Sequence, residues 1–400
     1  MTRAGTVSEV FLAFLRLGVT SFGGPVAHLG YFRDDLVARR RWMDDRAYAD
    51  LVALCQFLPG PASSQVGFAM GLQRAGFLGA LAAFVAFTLP SAALLVAFAA
   101  GAWLFGGPVG GGILDGLKIV AVAIVAQAVW GMARALAPDG PRAGIAVVAV
   151  ALALWAPGAV GQIGALVVGV VAGSVLLRGG AEETGASALS FGVPRAVAIG
   201  CLAAAAIALV GLPVLAAVTG SGLIALVDAF FRAGALVFGG GHVVLPLLQA
   251  EVVQTGWVSP DAFLAGYGAA QAVPGPLFTF AAYLGSVSSV GPGGIAGAAI
   301  ALTAIFLPGF LVLVGVLPFW DALRGRPRAR AAMRGANAAV VGILGAALYT
   351  PVFTTAVTGP GAFMLALVAF VLLTAFRVPP WAVVIVGAAG GAALASLGVV

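Results

Sequence analysis

Apolar residues run along this chain in long stretches separated by short polar or glycine-rich breaks. They fall at roughly 8–32, 46–75, 77–105, 113–134, 143–156, 159–177, 195–218, 222–248, 261–288, 292–318, 333–350, 361–376 and 380–400. A helix needs about 20 residues to cross a bilayer, and many of these runs reach that length. Several are interrupted near the middle by Gly-Gly or Pro-Gly-Pro. In lipid, backbone groups freed by an interruption must be satisfied by protein, water or ligand, so each break predicts either a packed junction or a site. The pattern predicts an all-α polytopic membrane protein with discontinuous, re-entrant helices.

The breaks occur in pairs. Phe14–Pro25 reads FLRLGVTSFGGP and Phe230–Gly241 reads FFRAGALVFGGG, an offset of 216. Gln56–Pro61 (QFLPGP) matches Gln271–Pro276 (QAVPGP) at an offset of 215, and Leu89-Pro90 matches Leu307-Pro308 nearby. Such self-similarity marks a tandem duplication. We expect a first repeat over 1–178, a linker with a linking transmembrane helix over 179–220, and a second repeat over 221–400.

Charge gives the repeats a relative orientation. Arg33, Arg39, Arg40, Arg41 and Arg46 follow the first FGG, whereas the matching stretch Gln249–Ala262 has no basic residue. The bias reverses later: Arg324, Arg326, Arg328, Arg330 and Arg334 answer a segment, Gly101–Asp115, whose one charge is Asp115. Because basic loops stay on the cytoplasmic side, equivalent loops are expected on opposite faces. The reading is an inverted-topology repeat in which 46–75 is a hairpin of half-helices and 8–32 is another such hairpin or, alternatively, one full span. The runs 77–105, 113–134, 143–156 and 159–177 cross, 195–218 links the repeats, and the second copy follows suit.

Composition agrees and removes other classes. Hydrophobic residues make up 62% of the 400, mean hydropathy is +1.11, and charged residues make up 8% against about 25% in soluble domains. Gly and Pro lie inside apolar runs, which excludes collagen and disorder. A net charge of +6 would suggest nucleic acid in a soluble protein, but here it sits in short loops between spans, and no nucleic-acid partner is expected. Cys55 and Cys201 stand alone in apolar contexts, read as small buried residues without disulfide or zinc chemistry. Glu9 and Arg16 interrupt the first apolar run, so it is read as mature sequence rather than a signal peptide. No cofactor or metal is expected.

The candidate chemistry lies at the breaks. Arg16 and Arg232 are a basic pair kept in both copies, each in an apolar run shortly before the FGG. A guanidinium at membrane depth costs at least ~2.5 kcal/mol, so it has a partner or a function. Structurally, Arg16 would pair with Glu9 and Arg232 with Asp228; functionally, the fork of each suits a tetrahedral oxyanion. The turns Pro59-Gly60-Pro61 and Pro274-Gly275-Pro276 would end one half-helix and start another, whose free N–H groups attract an anion. Gln56 and Gln271 precede these turns, while Ser63, Ser64 and Thr279 follow them with hydroxyls. Gly23, Gly24, Gly239 and Gly240 would let backbone approach a ligand. Lys118, expected to pair with Asp115, and its counterpart Asn337 are further candidates. Asp45 and Asp261 read as helix N-caps, and His28 and His242 as helix-end residues.

FLRLGVTSFGGP, the basic segment with Trp42, LPGP, FTLP at Pro90, FGGGHVVLP and VPGP together resemble the chromate ion transporter family in its long, two-domain form. The resemblance spans nearly the whole chain. It implies an exporter of chromate in the inner membrane that confers chromate resistance. It also implies a role in the transport path for Arg16, Phe22, Gly23, Gly24 and Pro59–Pro61, and for Arg232, Phe238, Gly239, Gly240 and Pro274–Pro276. Lys118 facing Asn337 departs from perfect duplication. The expected partners are the bilayer, a chromate- or sulfate-type oxyanion, a coupling ion such as that of an antiporter, and a second copy of the chain. Competing readings are a sulfate or other oxyanion transporter, a passive anion channel in the same frame, and an intramembrane enzyme or structural subunit. The enzyme reading lacks any P-loop, GxSxG or HExxH signature.

Overall fold

The computed structural model describes residues 5–101, 107–156, 159–177, 191–238, 243–320 and 326–397, and within these the secondary structure is helical, with no strand. The first copy contains α1 (Val7–Thr20), α2 (Gly24–Phe32) running into a π-helical turn (Arg33–Arg39), α3 (Asp45–Phe57) and α4 (Ala62–Ala100). It continues with α5 (Gly107–Leu136), α6 (Gly140–Trp155) and α7 (Ala159–Leu176); α8 (Arg195–Thr219) links the copies. The second copy repeats the series. It comprises α9 (Gly222–Ala235), α10 (Val244–Leu248) with a π turn (Gln249–Val253), α11 (Pro260–Ala272), and α12 (Phe280–Val287) after a 3-10 turn (Leu277–Thr279). Then follow α13 (Gly294–Val316), α14 (Pro327–Ala347), α15 (Pro360–Thr374) and α16 (Pro380–Ser396).

The breaks fold the chain back on itself. Trp42 Nε1 donates to Glu9 Oε1 at 3.2 Å, although a continuous helix would hold residues 9 and 42 about 50 Å apart. The α1–α2 segment therefore turns at Ser21–Gly23 and returns to its starting level. Arg74 reaches the same carboxylate at 3.1 Å, so α3 and the first part of α4 also begin and end there. Within α4, Ala75 and Gly76 leave helical geometry, and a Cβ on Gly71 would run into the Gly79 carbonyl. Ala62–Ala100 is thus a half-helix followed by a longer helix doubled back on it. Gly285 meets Gly297 in the same way between α12 and α13.

Five helical stretches among the described residues are long and apolar enough to cross a membrane: Ala62–Ala100, Val109–Leu136, Arg195–Thr219, Gly294–Phe319 and Pro327–Ala356. The four outer helices α6, α7, α15 and α16 have 16, 18, 15 and 17 residues, under the ~20 of a full straight span. The protein is a multi-pass membrane protein, and the exposed apolar surface of α8, with Ile207, Val210 and Val218 all outward, faces lipid.

The two copies exchange partners. α5 of the first copy packs on α15 and α16 of the second, while α14 of the second packs on α6 and α7 of the first. Both contacts use small residues: Gly112 and Gly116 lie against Gly391 and Gly387, and Gly335 against Gly169 and Gly173. Small side chains let transmembrane backbones approach and gain van der Waals contact where lipid gives no hydrophobic drive. One apolar core gathers α1–α4 around Phe14, Phe32 and Phe87, closed by Leu313 and Trp320; another gathers α9–α13 around Phe230, Tyr267 and Phe280. The broken ends lie between them.

Candidate functional site

At each break the sequence frees backbone groups, and the opposite copy satisfies them. The Gly60 amide donates to the Val237 carbonyl at 2.8 Å, and the Gly275 amide donates to the Ser21 carbonyl at 2.9 Å. Each Pro-Gly-Pro turn is thus seated on the broken helix of the other copy. Gly60 and Gly275 hold φ of +115° and +90°, which side chains with a Cβ avoid. A Cβ on Gly60 would meet Gly309, and one on Gly275 would meet Ser91 Oγ and the Phe87 carbonyl. Gln65 Nε2 ties the first junction, donating to Pro59 O at 2.9 Å and Gly309 O at 2.8 Å. The two glycine amides are therefore engaged by protein, and the open N–H groups are those of the helix starts that follow.

The first junction is polar. His28 is fully buried in α2, its ring edge-on to Phe87, with Nδ1 3.4 Å from Ser63 Oγ. On the same first-copy segments, Ser21 Oγ, His28 Nε2, Ser64 Oγ, Gln65 Oε1 and Thr88 Oγ1 are buried without a hydrogen-bond partner. Pro61 caps the α4 half-helix with no side-chain bond, which leaves its first amides at Ala62–Ser64 open, as helix starts do. Gly23 in the left-handed region and Pro25 start α2 beside it. Buried polar groups are ordinarily paired, so five orphans on the broken segments of one copy are unusual.

At the second junction the matching positions are Val237 for Ser21, Val244 for His28, Phe278 for Ser63, Phe280 for Gln65, Phe306 for Thr88 and Gly309 for Ser91. Only Thr279, matching Ser64, keeps a hydroxyl, and it donates to Pro276 O at 2.7 Å. Apolar side chains fill this copy of the site.

The other expected residues scatter. Arg16 is exposed on α1 and does not pair with Glu9, which the closing hairpin gives instead to Trp42 and Arg74. Arg16 and Arg40 lie close enough to Arg39 to repel it, and Asp35 binds both Arg39 and Arg40. Arg232 does pair with Asp228, at 2.7 Å, and with Glu251 at 3.0 Å, so its charge is already matched. Lys118 binds Asp115 at 2.6 Å and also Asp261 at 2.7 Å; its counterpart Asn337 has a buried, unpartnered Oδ1. Gln56 is exposed, Gln271 has a buried Nε2 without partner, and Phe22 leans on Trp381. Gly239, Gly240 and His242 lie outside the described residues.

Further readings change. The N-caps are Asp44 and Ser259, not Asp45 and Asp261: Asp44 accepts from the Ala47 amide and Ser259 from the Ala262 amide. That frees Asp45 to hold Arg33 at 2.8 Å. His28 is an interior residue of the junction rather than a helix end, because α2 continues through the π turn. Cys55 is buried as expected, whereas Cys201 is partly exposed on the lipid-facing α8. Sequence reasoning missed His28, Ser21, Thr88 and Gln65; comparing the polar content of the two copies position by position would have found them.

A family model described as chromate transporter matches residues 8–174 and 224–392. The chromate transport protein of Pseudomonas aeruginosa is 31% identical over 348 residues, covering 84% of this chain and 79% of that one. The chromate transport protein of Cupriavidus metallidurans is 29% identical over 392 residues, covering 96% and 92%. A probable chromate transport protein of Synechococcus elongatus is 28% identical over 350 residues, covering 86% and 84%. No solved structure matches the chain.

Proposed function

Since the chain belongs to the chromate transporter family, we propose that it is a secondary transporter moving a tetrahedral oxyanion, chromate first, through a site at the junction of its two repeats. The observation that carries this is the first-copy cluster of buried, unpartnered polar groups beside two helix starts. Helix N-termini and hydroxyls suit an anion because they supply N–H and O–H donors with a favourable dipole. Discontinuous helices meeting at such a site are a known transporter plan.

In this reading Ser21, His28, Ser63, Ser64, Thr88 and the Ala62–Ser64 amides surround the oxyanion. Gly23 and Gly24 open the α2 side, and Pro59, Gly60, Pro61, Gln271, Pro274, Gly275, Pro276 and Thr279 frame it. Arg16, with the excess of positive charge at Arg39 and Arg40, draws the dianion in. Lys118, Asn337 and the matched Arg232 act outside the first shell of donors. The repeats would be inverted, spanning 1–178 and 221–400 about a linker at 179–220, in the inner membrane. Rocking of one against the other would expose the site alternately and export the ion. A sulfate-type substrate fits the same donors, and a passive channel the same frame.

Purified protein in sealed liposomes decides among these. Chromate and sulfate flux are measured with and without an opposing gradient of the other ion. Uphill chromate accumulation supports the reading; equilibration that never exceeds the electrochemical limit makes the protein a channel, and absence of any oxyanion flux ends it.

A further inference from the structure

The two copies keep a matched acid and base but surround them with opposite surplus charge. Asp35 and Glu251 stand at the same offset of 216 as Arg16 and Arg232, and each acid lies in the π turn of its copy. In the first copy one carboxylate, Asp35, serves Arg39 and Arg40, with Arg16 close by. In the second, one guanidinium, Arg232, serves two carboxylates, Asp228 and Glu251. Those carboxylates are 9% and 11% exposed. Fully ionised, the triad holds one uncompensated negative charge away from bulk water, which is strongly disfavoured.

Neighbouring helices do not relieve it. α9 packs on α8, α10, α13 and the π turn, and the π turn also meets α11. α10 and α13 carry no ionisable residue, and α8 carries Arg195 in its first turn and Cys201. On α11, Asp261 is held by Lys118 and Tyr267 is buried in the core. Among the described residues the triad is therefore left with its own three charges.

Room for water lies along another face of the turn that carries Glu251. A cavity of about 110 Å³ is lined by Gln249 and Gln254 of the same turn, by Gln162 of α7 and by Thr350. That is room for three or four waters at ~30 Å³ each. Gln162 is 6% exposed; its amide nitrogen donates to Pro246 O at 2.8 Å and its Oε1 has no partner.

We propose that Glu251 is the coupling group of this transporter, binding and releasing one proton per cycle while Arg232 and Asp228 hold it in place. This rests on the transporter reading above. The step is a simple protonation: a proton adds to the Glu251 carboxylate, its ion pair with Arg232 loosens, and Arg232 stays on Asp228. The triad becomes neutral, and the arm of the hairpin carrying the π turn is released from α9. Loss of the proton to the other side closes the pair again. The oxyanion uses the first copy and the proton the second, which explains why the charges around the duplicated pair diverged.

The test uses the full-length protein in sealed liposomes with chromate and an internal pH-sensitive dye. Wild type should show proton movement with chromate flux, and an imposed pH gradient should drive accumulation. Glu251→Gln should lose both yet keep chromate-for-chromate counterflow. Asp228→Asn leaves Glu251 paired one to one with Arg232, and the pH profile of flux should move to lower pH. Independently of any flux, infrared spectra should show a protonated carboxylic acid in wild type that vanishes in Glu251→Gln. Wild-type flux without proton movement, proton-driven accumulation that survives in Glu251→Gln, or no such infrared band overturns the proposal. Absence of oxyanion flux with the band present strikes the oxyanion reading instead.

Discussion

The amide of Gly60 points at the carbonyl of Val237, 2.8 Å away, and the equivalent glycine of the other copy, Gly275, repeats the bond to Ser21 at 2.9 Å. Broken helices inside a membrane protein leave carbonyls without partners, and here each break is closed by the turn of the opposite repeat. The halves thus lock each other through these two bonds.

Gly60→Ala and Gly275→Ala test that lock. A Cβ at these positive φ values costs roughly 1–2 kcal/mol in backbone strain, and overpacking against Gly309 or Ser91 adds about 1–3 kcal/mol. Both variants should melt at lower temperature in detergent. Both should also lose oxyanion flux, because the Cβ at 60 meets Gln65 and the Cβ at 275 meets Ser91 and the Phe87 carbonyl.

Arg16→Gln should weaken oxyanion transport without harming the fold. Arg16 has no carboxylate partner among the described residues and its side chain is exposed, so its removal strands nothing. Because Arg16 attracts the dianion from a distance, the rise in apparent KM for chromate should be largest at low ionic strength and fade as salt screens the charge. Arg232→Gln should behave differently: it leaves Asp228 and Glu251 facing each other without a cation, and the loss of a buried partner costs about 3–5 kcal/mol. Thermal melts separate the two outcomes, stable for one and depressed for the other.

His28→Ala removes the centre of the polar junction. The neighbouring hydroxyls remain, so KM for chromate should rise roughly tenfold, as for one lost donor to a charged group. Ser64→Ala should add a similar increment. Val244→Ala, at the matching position of the second copy, should leave KM unchanged. An equal effect at 28 and 244 would mean that both junctions bind, against the polar asymmetry seen here.

Most of the architecture could be read from the chain because its signals are local. The Pro-Gly-Pro and Gly-Gly pairs mark the helix breaks, and their spacing marks the duplication; the breaks fall at Ser21–Gly23 and Leu58–Pro61. The partners of the charges were harder, because they depend on which residues the hairpins bring together. Glu9 looked like the helix-face neighbour of Arg16, yet Arg74 lies 65 positions away and reaches it. Asp228 and Arg232, four residues apart on one helix, were legible, but Glu251 was not, since it arrives across the turn. His28 was hidden for a different reason: it has no histidine counterpart, and the contrast with Val244 becomes informative only once both junctions are superposed in mind as one design.

The exchanged helices give the last prediction. Gly116 of α5 lies against Gly387 of α16, and Gly335 of α14 lies against Gly169 of α7, each close enough that any side chain would collide with backbone. Because α5 and α14 belong to different copies yet make the same contact, Gly116→Leu and Gly335→Leu should depress stability by similar amounts. Overpacking of this kind typically costs about 1–3 kcal/mol or more, here with backbone rather than a flexible side chain as the obstacle. Leucine at Gly131 on α5, where no neighbour lies within reach of a Cβ, serves as the control and should be tolerated. Melting temperatures in one detergent compare all three. If Gly116→Leu and Gly335→Leu melt like Gly131→Leu, the helices are not packed through these glycines, and the reciprocal swap between copies loses its physical basis.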